Sequence, residues 1–288
     1  MEINRRMATE NIRPFLLSLV MMTALSLAPM LSHATVFWDD EMEEGNTDFS
    51  PAYMQSTMIP TGVMAYDTDV KFSGNGSIRV NFPQNCDISG SLRGQCGGSL
   101  TRQFPPNTSP WKRVYFRMSG SGPNPTANGL FKSGFTSTKM LKGETETDAD
   151  DKSRHWWQMG KAGGKGFLVS MENAPQRYST TDVLTSLSLQ DNRWYCIETH
   201  EQMNTPGQSN GIAEAWVDGV KVLTKTDVIW QRAGSNRTWK EFSLMRQNGA
   251  GNFWWDRFAA GTTRIGCLGA TSASDTNRPA PPQGLVIR

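Results

Sequence analysis

Short runs in which apolar and polar residues alternate recur along the chain, separated by segments rich in Gly, Pro, Asn and Asp. Alternation with a period of two is typical of strands that bury one face, and the spacing of an amphipathic helix is nearly absent. The pattern predicts strands at 35–38, 77–82, 112–118, 129–135, 166–171, 194–200, 212–217, 220–223, 241–246 and 253–259. Polar stretches at 83–110, 119–128 and 138–153 are interpreted as connections.

The pair Asp218-Gly219, between two of these runs, predicts a tight hairpin turn, because these residue types accept the positive φ that such turns require. Many short strands joined by long loops favour a β-sandwich. We therefore expect an all-β jelly-roll β-sandwich of two antiparallel sheets over 35–269. A Pro/Ser-rich tail follows at 270–288.

Residues 1–34 have the composition of a cleavable secretory signal peptide. Three arginines precede an apolar run at 15–31, and Ser32-His33-Ala34 carries small residues where signal peptidase needs them. The alternative is a membrane anchor, which the shortness and polar interruptions of the run disfavour. We expect cleavage after Ala34, no membrane span in the mature chain, and a secreted or periplasmic location.

The charge balance narrows the class of partner. Removal of the predicted signal peptide takes away three arginines and two glutamates, which leaves 26 basic and 25 acidic residues. A nearly neutral chain lacks the basic surface that nucleic acids require, so a nucleic acid partner is not expected. We expect a monomer.

All four cysteines lie after residue 34. An even number in an oxidising compartment predicts disulfides, and four cysteines allow three pairings. We favour Cys86–Cys96, which closes a Gly-rich loop, and Cys196–Cys267, which ties a central strand to the C-terminal one. Zinc is disfavoured because the chain has no Cys-x-x-Cys pair.

Most predicted strands have one apolar face and one face that mixes charges with aromatic rings. In 112–118, for example, Val114 and Phe116 alternate with Tyr115 and Arg117. Rings stack on sugars and charged groups bind hydroxyls and carboxylates, so the mixed face suits a polysaccharide groove. The alternative is that loops or a second sheet cover it. The mixed face carries Arg79, Tyr115, Arg117, Lys132, Glu198, His200, Glu214 and Trp216.

Several motifs carry a family resemblance. The run Trp194-Tyr195-Cys196-Ile197-Glu198, then Asn204-Thr205-Pro206-Gly207 and Trp216-Val217-Asp218-Gly219, resembles the concanavalin A-like lectin/glucanase superfamily. More narrowly, the chain is similar to exported bacterial jelly-roll polysaccharide lyases. The resemblance implies a concanavalin A-like fold and leaves lectin, lyase and hydrolase activities open. The Glu-x-Asp-x-x-Glu run of laminarinase-type hydrolases and the alginate lyase signatures Arg-x-Glu-x-Arg and Gln-Ile-His are absent.

The hypothesis that the protein is a lyase assigns catalytic roles to side chains of the mixed face. Elimination from a uronate needs a cation on the carboxylate, a base for the neighbouring proton and an acid for the leaving oxygen. Arg79, Arg117 or Lys132 supplies the cation, His200 is the candidate base and Tyr115 the candidate acid. The alternative for His200 is a structural histidine bonded to a loop carbonyl.

A hydrolase hypothesis and a lectin hypothesis use the glutamates and the tryptophan of the same face. Glu198, Glu214 and Trp216 are candidate substrate-binding residues with Arg79. If Glu198 lies opposite Glu214, a carboxylate separation of about 5.5 Å would suit a retaining glycoside hydrolase. The alternative is a basic side chain held between the two. A non-catalytic lectin-like or adhesion module is the remaining class.

The resemblance also implies a candidate structural Ca²⁺ site. Glu43, Asn75 and Asp256 lie in segments that resemble terminal strands meeting in this superfamily. Hard oxygen ligands from separate segments suit Ca²⁺. The alternative is ordinary surface acidity near the N-terminus of the mature chain. No other cofactor is expected.

Overall fold

The computed structural model describes residues 35–43, 64–82, 97–119, 138–145, 154–161, 164–172, 187, 189–247 and 251–268. The chain divides into two units, Met1–His33 and Ala34–Arg288, and every described residue belongs to the second. The predicted signal peptide, the strand predicted at 129–135 and the tail at 270–288 lie outside the described residues. Within the described ranges, no helix is long and apolar enough to cross a membrane.

The described residues form strands, turns and loops, without a helix. The strands are β1 (Val36–Asp40), β2 (Met64–Asp67), β3 (Ser77–Phe82), β4 (Gly97–Asn107), β5 (Trp111–Ser119), β6 (Thr138–Thr145), β7 (Arg154–Lys161), β8 (Gly164–Glu172), β9 (Trp194–Gln202), β10 (Gly211–Val217), β11 (Val220–Val228), β12 (Trp239–Gln247) and β13 (Gly251–Gly261).

The strands pair into two antiparallel sheets. The eight-stranded sheet has the order β11-β10-β9-β5-β13-β3-β2, and β1 also pairs with β13. The five-stranded sheet has the order β4-β12-β6-β7-β8. This arrangement confirms the predicted all-β jelly-roll sandwich.

The main core lies between the sheets, and the alternation of the strands supplies it. Val114, Phe116 and Met118 of β5 are buried in one cluster with Phe242 and Leu244 of β12. The split of β5 into an apolar face and a mixed face is therefore confirmed. The second face of the eight-stranded sheet, which carries the mixed residues, points away from this core and is called its outer face below.

Two local predictions are confirmed to the residue. Strand β3 spans the predicted range 77–82. The turn between β10 and β11 has φ of 51° at Asp218 and 83° at Gly219. Positive φ at both central positions matches the twist of the flanking strands, which is why this dipeptide makes the hairpin.

The predicted connections 83–110 and 138–153 are wrong where they overlap β4 and β6. Strand β4 contains Pro105 and Pro106, residues that normally argue against a strand. The two prolines are tolerated because β4 is the edge strand of its sheet and pairs only with β12 among the described strands. The alternation of polar and apolar residues in β6 is obscured by its lysines, its glutamate and Gly143.

Candidate functional site

The outer face of the eight-stranded sheet, where the sequence predicts the ligand, is partly covered by two other segments. One follows β2 and the other follows β13. Together they build a second apolar cluster from Tyr115, Trp194, Cys196, Trp254, Val70, Phe72, Cys267 and Leu268. The favoured disulfide between Cys196 and Cys267 is present and fixes the second segment. Cys86 and Cys96 lie outside the described residues.

Tyr115 and Glu198 bind the backbone of the segment 262–268. The Leu268 N–H donates to the Tyr115 hydroxyl at 2.6 Å. Glu198 accepts from the Gly266 N–H at 2.7 Å and from the Arg264 guanidinium at 2.7 Å. Both side chains are buried. Their polar atoms therefore hold a covering segment in this structure. The role of Tyr115 as the catalytic acid and the role of Glu198 in binding the sugar stay predictions.

Trp216 is also enclosed. Its ring has the Arg264 guanidinium at 4.7 Å and the Lys221 ammonium at 4.9 Å from the ring centroid. Only 5% of the residue is exposed. A tryptophan that stacks on sugars needs an accessible ring, and two cations occupy the surroundings of this one.

Arg117 and Arg79 lie farther along the same face. The Arg117 guanidinium lies 5.5 Å from the centroid of the Trp254 ring. Arg79 pairs with Asp67 at 3.4 Å, and its side chain is 40% exposed. Arg79 is thus a partly accessible cation, while the position of Lys132 lies outside the described residues.

His200 is buried in a hydrogen-bonded arrangement of side chains. Its Nε2 lies 2.7 Å from Ser109 Oγ and its Nδ1 lies 3.1 Å from Glu214 Oε2. The imidazole stacks on Trp111 with 4.2 Å between ring centroids. Its partners are side chains rather than the loop carbonyl of the alternative. With both ring nitrogens occupied, the role of lyase base stays a prediction.

The register of β9 and β10 differs from the hydrolase hypothesis. Glu214 pairs with His200, whereas Glu198 pairs with Trp216. The two carboxylates are therefore not opposite each other. Each has its own basic partner, Arg264 for Glu198 and Lys221 for Glu214. The facing carboxylates expected of a retaining hydrolase are absent from this pair of strands.

Glu43 and Asp256, two of the calcium candidates, accept hydrogen bonds from backbone N–H groups of the segment 72–75, and the third candidate, Asn75, belongs to that segment. Glu43 accepts from the Asn75 N–H at 2.8 Å, and Oδ2 of Asp256 accepts from the Phe72 N–H at 2.7 Å. Oδ1 of Asp256 is buried without a hydrogen-bond partner among the described residues. The described residues include no group of three acid, His or Cys side chains that could hold a metal ion. Calcium stays a prediction.

Asp256 is expected to make the fold less stable at alkaline pH. Burial raises the pKa of Asp256 to about 7 despite hydrogen bonds from Phe72 and Ser73, from an ordinary value of 3.8. A raised carboxyl pKa leaves stability intact in acid and removes it as the pH rises through the folded-state value. The loss between about pH 4 and about pH 8 should approach about 4 kcal/mol.

The measurement is urea unfolding across this pH range in the presence of chelator, for the wild type and for Asp256→Asn. The amide keeps an acceptor for the two N–H groups and cannot ionise, so the variant should lose this pH dependence. Equal pH dependence in both proteins contradicts the prediction. Added Ca²⁺ at pH 8 tests the metal: a bound ion stabilises the wild type and leaves the variant unchanged.

The five-stranded sheet has an outer face that the sequence reasoning missed. Thr101, Ser243, Lys142, Trp156 and Ser170 occupy one register row across its five strands. The adjacent row is formed by Gln103, Glu241, Glu144, Arg154 and Glu172. Hydroxyls, an amide and charges of both signs stand at these positions, a composition that suits a polyhydroxylated ligand.

Lys142 is the centre of this second face. Its ammonium lies 2.5 Å from Glu144 Oε2 and 2.8 Å from Glu241 Oε1. Thr101 and Ser243 hydrogen-bond through their hydroxyls at 2.8 Å. Leu141 and Leu244, the neighbours in sequence, face the opposite way into the core. An alternation of Leu100 with Thr101 and of Leu141 with Lys142 was the signal that could have revealed this sheet.

A comparison with protein families found no match, and no curated protein sequence matches the chain. Several solved structures are similar to this chain. An alginate lyase from Aplysia kurodai has a TM-score of 0.58 at 10% identity and covers 80% of this chain and 100% of its own. An endo-β-1,4-glucuronan lyase from Trichoderma reesei has a TM-score of 0.54 at 11% identity, with coverages of 80% and 96%.

A third structure, of a cellulose-induced protein, has a TM-score of 0.54 at 17% identity and covers 80% of this chain and 99% of its own. Identities this low carry information on the fold alone. The agreement extends over most of the chain and over nearly the whole of each solved structure. The protein therefore has the jelly-roll, concanavalin A-like fold that these structures share.

Proposed function

We propose that the protein binds a uronate-containing polysaccharide across the outer face of the five-stranded sheet and cleaves it by β-elimination. The observation that carries the proposal is Lys142, a cation held by Glu144 and Glu241 in the middle of a polar sheet face. The alginate and glucuronan lyases among the similar structures support a uronate as the substrate.

Lys142 has a defined task in this reaction. An ammonium beside the uronate carboxylate offsets its charge and acidifies the C–H at the neighbouring carbon, whose proton must be removed. Glu144 and Glu241 fix the ammonium, since a flexible lysine would otherwise lose rotamer freedom on binding. The partly exposed Thr101 hydroxyl, which is oriented by the buried Ser243, then supplies a hydrogen bond to the sugar.

Lys142→Met should lower elimination from alginate or polyglucuronate by at least about 100-fold, because the uronate carboxylate loses its countercharge. The assay follows the absorbance at about 232 nm of the unsaturated chain ends that elimination produces. Lys225→Met is the matched control, since Lys225 pairs with Asp227 on β11, in the other sheet. The control should keep full activity.

The same assay separates this face from the one that the sequence predicts. Loss of elimination in His200→Asn or Tyr115→Phe, with activity retained in Lys142→Met, would place the reaction on the eight-stranded sheet and overturn the proposal. A wild type that cleaves none of the uronate polymers would overturn it as well.

Binding without cleavage is the second candidate, and the pairing of Lys142 favours it. Two carboxylates surround the single ammonium, so this cluster has an excess of negative charge and favours a neutral glycan over an acidic one. Such a face binds hydroxyls through hydrogen bonds. Retained affinity for a neutral or acidic polysaccharide, without any rise in absorbance, identifies this outcome.

We further propose that the protein works outside the cytoplasm. The disulfide between Cys196 and Cys267 supports this, because structural disulfides persist in oxidising compartments. The predicted signal peptide at 1–34 supports it independently.

A further inference from the structure

Three side chains on the outer face of the eight-stranded sheet form a continuous hydrogen-bonded chain. Ser109 precedes β5, His200 lies on β9 and Glu214 lies on β10, opposite His200 in register. The Ser109 hydroxyl lies 2.7 Å from Nε2 of His200, and Nδ1 of His200 lies 3.1 Å from Oε2 of Glu214. A hydroxyl, an imidazole and a carboxylate in this order are the parts of a serine hydrolase triad.

The chemistry of the partners fixes the direction of the hydrogen bonds. Burial opposes ionisation of Glu214, but hydrogen bonds with Lys221 and His200 outweigh it and lower the pKa of Glu214. An ionised carboxylate can only accept, so Nδ1 of His200 carries the proton. The other ring nitrogen of a neutral imidazole is then an acceptor, and Ser109 must donate to it. This is the tautomer that a general base needs.

The surroundings hold this arrangement in place. Trp111 stacks on the imidazole with an interplanar angle of 7°. Lys221 binds the second oxygen of Glu214 at 2.7 Å. Oδ1 of Asn107 accepts from the Ser109 N–H at 2.7 Å and fixes the backbone of the serine. Imidazole and carboxylate are thus both locked in orientation, as a nucleophile and base pair requires.

The histidine at the centre of this arrangement is shielded, whereas the serine is accessible from solvent. His200 is only 6% exposed, whereas Ser109 is partly exposed. Trp111 covers one face of the imidazole, and the Trp111 ring in turn lies 5.0 Å from that of Trp216. A substrate must therefore present its reacting carbon to Ser109 from the solvent side, which suits a small acyl group on a larger alcohol.

We propose that Ser109, His200 and Glu214 form a second active site that hydrolyses carboxylic esters of short acyl groups. The site lies on the other sheet from Lys142 and is independent of the proposed elimination. Its substrate class is an O-acyl ester, such as an acetylated hydroxyl.

The reaction proceeds in two balanced steps. Ser109 Oγ forms a bond to the carbonyl carbon of the ester, its proton passes to Nε2 of His200, and the alcohol leaves with that proton. Water then adds to the acyl carbon and gives a proton to Nε2. The bond to Oγ breaks, the proton returns to Ser109, and the carboxylic acid is released.

The test uses the full chain with p-nitrophenyl acetate as the probe. The wild type should release nitrophenolate with turnover, and Ser109→Ala should lower kcat/KM by at least about 100-fold. Ser209→Ala is the matched control, because Ser209 is an exposed serine that bonds the Asp227 carbonyl and has no histidine partner. Glu214→Gln should lower kcat and leave KM unchanged, as expected of a residue that positions the imidazole.

A covalent probe gives a readout that does not depend on turnover. A fluorophosphonate should add once per chain, with loss of fluoride, and peptide mass mapping should place the adduct on Ser109. Circular dichroism of Ser109→Ala confirms that the fold is retained. Hydrolysis at equal rates in the wild type and Ser109→Ala, or an adduct absent or on another residue, would overturn the proposal.

Discussion

Lys112→Met should lower the free energy of unfolding by about 3–5 kcal/mol, because it leaves Glu201 buried without its countercharge. Lys112 and Glu201 form an ion pair inside the sandwich, with side-chain exposures of 2% and 0%. They lie on β5 and β9, on the faces that point into the main core.

The pair is part of a larger buried arrangement. Oε1 of Glu201 accepts from the Trp157 indole at 2.8 Å and lies 3.1 Å from Nε2 of His155. Burial would raise the pKa of Glu201, but the charge of Lys112 and hydrogen bonds with Lys112 and His155 hold it well below its ordinary value. Burial lowers the pKa of His155, so the imidazole is neutral near pH 7 and cannot replace Lys112.

Urea unfolding of three variants tests this account. Lys112→Met/Glu201→Gln removes both charges and keeps an amide oxygen for Trp157, so it should recover at least about half of the loss. Lys225→Met is the control, because its partner Asp227 is 60% exposed and surface pairs contribute at most about 1 kcal/mol. A double variant as unstable as the single one would show that lost packing, rather than the unpaired charge, causes the effect.

The sequence predicts the sheets well where one face is plainly apolar. Strand β5 alternates cleanly, and both its range and its core face follow from the residues. Strands β4 and β6 were missed because prolines, lysines and glycine dilute the alternation. Their strand character depends on pairing with β12, a tertiary contact that no local pattern encodes.

The candidate sites show the same limit. Alternation correctly places Tyr115, Glu198 and Trp216 on a common face, but what covers that face is decided by residues 262–268, far away in sequence. Ser109 reaches His200 across 91 positions. Side-chain type and spacing identify which residues share a face, whereas register and covering segments decide whether the face is open. Lys142 was missed because the strand that carries it was missed.

Replacing both cysteines of the disulfide, as Cys196→Ser/Cys267→Ser, should lower the free energy of unfolding by about 4 kcal/mol. The bond closes a loop with a sequence separation of 71 between the two residues. Cross-linking residues this far apart in sequence restricts the unfolded chain strongly, and the loss of that restriction accounts for most of the expected effect. Thermal unfolding with and without reductant measures it.

The folded state should change as well, because the disulfide fixes a segment over aromatic side chains. Trp194 and Trp254 lie in the cluster that Cys267 and Leu268 cover. If the segment detaches in the double variant, the tryptophan emission shifts to longer wavelength under native conditions and acrylamide quenching increases. Unchanged emission with lowered stability would show that the hydrogen bonds of Glu198 and Tyr115 keep the segment in place alone.

A second variant separates these two contributions. Arg264→Met in the disulfide-bonded protein removes the ion pair with Glu198, whose side chain is 1% exposed, and leaves the unfolded chain cross-linked. A buried carboxylate that keeps only the Gly266 N–H should cost about 2–3 kcal/mol, entirely through the folded state. If the disulfide acts on the unfolded state, Arg264→Met should destabilise the oxidised and the reduced protein equally. If it acts by holding the segment against the sheet, Arg264→Met should cost clearly more after reduction, since the backbone hydrogen bonds to Glu198 and Tyr115 must then hold the segment without the disulfide and without the ion pair.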